Sequence, residues 1–137
     1  MKFMICLFLF AVSTAVWSQA ISITQRSDMS FGTVVAGSGP YVVAPGTGES
    51  NQNASFRVEG ARNTAFTIIL PTTATVSLNG AGVFNITVSN FTSFPVGTGF
   101  LPNNRRADIY VGARIASVPI TTPGGSYRGN FSVEVVY

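Results

Sequence analysis

The stretch Tyr127-Arg-Gly-Asn-Phe-Ser-Val-Glu-Val-Val-Tyr137 alternates, putting Tyr127, Phe131, Val133, Val135 and Tyr137 on one side of an extended chain and Arg128, Asn130, Ser132 and Glu134 on the other. Side chains change face at every residue of a strand, so the spacing predicts a strand over residues 127–137 with one apolar stripe, broken at Val136. Ending on the terminal carboxylate, such a strand offers a partner a row of apolar anchors and a fixed negative charge. The reading from this feature is an exported β-domain whose terminal strands take part in assembly.

The other end reads as an export signal. Met1-Lys2, an apolar run over residues 3–12 and a small-residue region through Ser18 and Ala20 have the three parts of a secretory signal peptide. Cleavage is expected after Ala20, with Ser18 as the alternative. The apolar run is shorter than the roughly 20 residues a spanning helix needs, and no second run follows, so no transmembrane anchor is expected. Residues 21–137 are enough for one domain and too few for two.

Loss of Lys2 takes the formal net charge from +3 to +2 and leaves arginine as the only cation type in residues 21–137. The arginines are scattered, with Arg105-Arg106 the one adjacent pair, so no phosphate-binding stripe forms and nucleic acid is not an expected partner. Residues 21–137 hold no cysteine and no histidine, which removes disulfides, thiolate chemistry and histidine-based metal or base sites. The carboxylates Asp28, Glu49, Glu59, Asp108 and Glu134 are far apart in sequence and suggest no acid–base pair. No catalytic residue, cofactor or metal is expected, and the chain is not read as an enzyme.

Between the two ends the chain is rich in Thr, Val, Phe, Ser and Gly, without a run at helical spacing, and reads as all-β. Ile21, Ile23, Met29 and Phe31 share odd parity and predict a first strand over residues 21–31. Val34-Val35 and residues 41–43 read as a hairpin around residues 37–40, and residues 45–53 as an exposed polar loop. Residues 54–59 and 65–70 read as strands joined by a tight turn at residues 60–63, the second ended by Pro71. Asn79-Gly80 predicts a type I′ turn between residues 75–78 and 83–88. Phe91 and Phe94 lead into a long loop over residues 95–104. Residues 107–115 predict a strand with Ile109, Val111, Ala113 and Ile115 inward, and residues 119–125 a last loop. This series of short strands predicts an immunoglobulin-like two-sheet β-sandwich, with a small closed barrel as the alternative.

Several segments together resemble a known family: Phe31-Gly32, Pro45-Gly46-Thr47-Gly48, Ala54-Ser-Phe56-Arg-Val58-Glu-Gly60, Phe66-Thr-Ile-Ile-Leu-Pro71, Tyr110-Val111-Gly112-Ala113 and residues 127–137. In order and spacing they look like the exported bacterial domain of unknown function 4402, which looks related to spore-coat-U-type and chaperone–usher pilin-like subunits. The resemblance implies a fimbrial or coat subunit on the cell surface, with an incomplete pilin-type sandwich and no catalytic residues. It implies strand addition among copies of itself or related subunits, with a periplasmic chaperone and an outer-membrane usher as further partners. The matching positions are Phe131, Val133, Val135 and Tyr137 for the C-terminal strand, and Ile21, Ile23, Met29 and Phe31 for a donated N-terminal strand. An ordinary complete sandwich, working as a self-contained secreted binding module, stays open as the alternative. The sequons at Asn53, Asn85, Asn90 and Asn130 are put down to chance.

Overall fold

The computed structural model describes residues 20–137, and the export signal read from the sequence lies almost wholly outside them. Its strands are β1 (Ser22–Ser27), β2 (Tyr41–Val43), β3 (Ala54–Glu59), β4 (Thr64–Ile69), β5 (Thr73–Leu78), β6 (Ile86–Phe94), β7 (Thr98–Leu101), β8 (Arg106–Ile115), β9 (Tyr127–Arg128) and β10 (Glu134–Val136). The larger sheet runs β1-β3-β8-β6-β5-β9, with β2 pairing β8 beyond the end of β3, and the smaller runs β10-β4-β7. The two form a β-sandwich, and every pairing is antiparallel.

Alternation explains which residues fill the space between the sheets. Ala54, Phe56 and Val58 of β3 and Ile109 and Val111 of β8 point inward from one side, and Phe66, Ile68, Leu101 and Val135 from the other, forming one buried cluster. A second cluster holds Ile86, Val88, Ala113 and Ile115 with Val34 and Val118 from loops, and no residue of the smaller sheet enters it. The smaller sheet thus covers only part of the larger one, and loop segments cover the rest.

One corner joins the sheets. β4 passes into β5 through Leu70-Pro71-Thr72, and Pro71, which has no amide hydrogen to give a ladder, stands at the bend. The C-terminal segment follows this long bent strand: Leu78 and Ser77 pair with Tyr127 and Arg128 in the larger sheet, and Ile69, Ile68 and Thr67 with Glu134, Val135 and Val136 in the smaller. Between these pairings lie residues 70–76 on one chain and 129–133 on the other, an unequal match that interrupts the ladder. The continuous strand expected over residues 127–137 is therefore two short strands, one per sheet.

Other expectations are corrected. The first strand stops at Ser27 after a register slip between Gln25 and Ser27. Residues 34–43 make no hairpin: Val34 pairs with Gly125, and β2 joins β8. The turn at residues 60–63 carries the chain from one sheet to the other, so β3 and β4 do not pair. The Asn79-Gly80 hairpin forms, with φ of 51° and 73° as type I′ requires, but β6 starts at Ile86 and leaves Val83 and Phe84 outside it. Residues 98–101, assigned to a loop, are β7.

The loop over residues 45–53 is polar yet centred on a buried side chain. Asn53 is 1% exposed; its Nδ2 donates to the carbonyls of Pro45 at 2.6 Å and Gly48 at 2.8 Å, and its Oδ1 accepts from the Ser50 amide at 2.9 Å. That amide nitrogen is committed in the folded chain. Asn53→Ala is expected to cost about 1–3 kcal/mol, because the loop groups lose their partners but regain water on the exposed side. Urea unfolding measures it.

Candidate functional site

The edge at β1 and the edge formed by the C-terminal segment border one cleft. β1 ends one side of the larger sheet, and the C-terminal segment ends its other side as β9 and one side of the smaller sheet as β10. Alternating antiparallel pairings from β1 to β9 make these edges run in opposite directions, so they border a seam.

The seam is shut at one end. Ile21 packs beside Gly60, the Tyr137 hydroxyl accepts a hydrogen bond from the Ala61 amide at 2.8 Å, and a β-carbon added to Gly60 would stand 2.5 Å from that hydroxyl and 3.0 Å from Leu101. Gly60 is thus the notch that lets the Tyr137 ring lie across the β3–β4 crossing.

Toward the other end the walls part. A cleft of about 920 Å³ opens between a wall of Gln25 and residues 28–32 and a wall of residues 126–131. Phe56, Ala74, Val76, Val88 and Phe91 form an apolar floor, while more of the exposed lining is polar, with Asn85, Ser77 and Arg128 part of it. Phe131 enters from the C-terminal wall and stacks edge-on to Phe56 at 6.3 Å and tilted against Phe91 at 5.2 Å. Gly129, in the same wall, lies against the main chain of Thr75 and Val76, so near that a β-carbon would stand 3.0 Å from the Val76 Cα.

β1 is held on its outer side by charge. Arg57 Nε donates to Asp108 Oδ1 at 3.0 Å, Arg26 reaches the same oxygen at 3.8 Å and Glu49 at 3.4 Å, and the Ser55 hydroxyl donates to Glu49 at 3.0 Å. The hydrogen bond it donates to Asp108 raises the Arg57 pKa above its ordinary arginine value. The charged side chains are a third to a half exposed, so the ion pairs add little stability and serve more to orient β1 on β3.

All four residues of the N-terminal stripe pack inward in this chain. Ile21, Ile23 and Met29 lie half-buried against the first cluster, and Met29 and Phe31 against the second. Of the C-terminal stripe, Phe131 and Val133 are half-buried against the first cluster, Val135 is buried within it, and Tyr137 spans the shut end. The structure brings Met29, Phe31 and Phe131 together at the cleft; Ile21 and Tyr137 meet at the shut end instead. The floor residues Phe56, Ala74, Val76, Val88 and Phe91 come from β3, β5 and β6, and only the sheet order makes those three strands share one cleft, which alternation within a strand does not reveal.

Among the described residues no three of His, Cys, Asp and Glu gather as metal ligands, and no helix is long and apolar enough to cross a membrane. Residues 21–137 match a family described as a domain of unknown function, DUF4402. The chain belongs to the DUF4402 family. No curated protein and no solved structure matches it. For this DUF4402 chain, function has to be argued from the seam.

Proposed function

We propose that this protein is an exported structural or adhesive surface subunit, of fimbrial or coat type, that assembles by accepting a β-strand from another copy or a related subunit into the seam. The observation that supports this reading is the cleft with an apolar floor and two walls, residues 28–32 and 129–131, that belong to no strand. An extended segment laid there would gain main-chain hydrogen bonds from the C-terminal wall and set alternate apolar side chains on the floor. Because the walls run in opposite directions, an incoming strand antiparallel to the C-terminal wall would be parallel to β1. The reaction is binding, without a catalytic step, and a periplasmic chaperone and an outer-membrane usher fit as the agents that shield and pass on such a seam.

One observation favours a second reading. Ile21, Ile23 and Met29 pack on the chain's own core and β1 pairs with β3, so this segment is not held out for donation. That suits a self-contained secreted binding module. Residues 21–137, produced in a bacterial periplasm and run unboiled and boiled on a denaturing gel, separate the two. A heat-sensitive ladder that lengthens with protein concentration is the expected result. A single monomer band at every concentration, with cooperative unfolding, would sink the assembly reading in favour of the module.

A further inference from the structure

The wall formed by residues 28–33 differs from the rest of the fold in how it is held. β1 ends at Ser27, but the alternation continues, and Met29 and Phe31 still turn their side chains onto the second cluster. The main chain is tied far less. The Ser30 amide donates to the Gln52 carbonyl at 2.8 Å, and the Gly32 amide bonds locally to the Ser30 hydroxyl at 3.2 Å.

Both ends of this stretch are anchored. On one side β1 is in the larger sheet; on the other Val34, 1% exposed, exchanges two main-chain hydrogen bonds of 2.9 Å with Gly125. Near the second anchor Gly32 has φ of +72° and open space around its α-carbon, a joint that a larger residue would stiffen.

We propose that residues 28–33 are a strap that covers the open end of the seam in the lone chain, with Met29 and Phe31 as its plug, and that an incoming strand displaces it. This rests on the strand-accepting reading above and adds its regulation. The smaller sheet does not reach the second cluster, so its apolar cover has to come from loop segments, Met29 and Phe31 among them. A segment buried by side chains but poorly tied by its main chain is the kind that opens locally at small cost. A true strand would bring the main-chain bonds that the strap lacks, so it wins the competition once it arrives. The strap therefore keeps the unassembled subunit soluble and sets the threshold for assembly.

The test uses residues 21–137 and the double variant Met29→Ser/Phe31→Ser. The unassembled variant is expected to raise the fluorescence of the apolar dye ANS several-fold, and to form its ladder about tenfold faster, because the weakened plug opens more often. No added dye binding and an unchanged or slower ladder would overturn the strap while leaving strand addition standing. Raised dye binding with no ladder from either chain would keep the strap as cover and sink the assembly reading. Amide exchange on the unaltered chain guards against a variant that fails to fold. Residues 28–33 are expected to exchange about 100-fold faster than the paired amides of β3, and equal protection would overturn the strap.

Discussion

Phe66→Ala is expected to destabilise the fold by about 3–5 kcal/mol, much of the total stability of a domain this size. Phe66 is 1% exposed in β4 and belongs to the one cluster among the described residues that joins the two sheets. Its ring lies over Gly99, its register partner in β7, where an added β-carbon would stand 2.7 and 2.8 Å from two ring carbons. The ring has a place only because that residue has no side chain. Gly99→Ala alone is therefore expected to cost about 1–3 kcal/mol by overpacking, and the same change in the Phe66→Ala background to cost almost nothing. Urea unfolding of the four proteins measures the coupling. Additive costs would mean that ring and glycine do not share the space described.

That pair also shows what the sequence could and could not disclose. Phe66, Ile68 and Leu70 were legible as one face because alternation is local, and so were Ile109, Val111, Ala113 and Ile115, all buried as expected. Asn79-Gly80 was legible because positive φ at two successive positions narrows the choice of residues. The loss of β7 to a loop has a local cause as well: Gly97 and Gly99 depress strand propensity, yet Gly99 is there to receive a ring from β4. Tertiary packing overrode the local signal. Asn53 was misplaced for the converse reason, since a run of Gly, Ser and Asn reads as exposed until one of its amides turns inward to tie the others.

The site was legible in its residues and not in its geometry. Parity picked out Met29, Phe31 and Phe131, which do meet at the cleft. It extended both terminal strands too far, because alternation persists through residues whose main chain has left the ladder. The strap and the corner at residues 129–133 are these overextensions. What ends the pairing there is the unequal match against residues 70–76, a relation between two distant segments that neither reveals alone.

Gly129→Ala tests that corner and is expected to cost about 3 kcal/mol, at the upper end for overpacking. A new β-carbon would press on the Thr75 carbonyl, stand 3.0 Å from the Val76 Cα and 3.1 Å from the Thr75 carbonyl carbon. All are main-chain atoms of a strand already paired with β6, so none can rotate aside as a side-chain end would. The C-terminal wall has to move instead, and β9, with two pairs against β5, is its weaker hold. β10 is anchored by Val135 in the first cluster and should stay. Amide exchange is expected to quicken at Tyr127 and Arg128 and to remain slow at Val135, with the midpoint of urea unfolding lowered. Gly48→Ala is the control: nothing lies within 4 Å of its β-carbon position, and its effect should stay within about 0.5 kcal/mol. Uniform loss of protection along residues 127–136 would show that the C-terminal segment is held as one strand, and that the cleft does not have a wall of its own.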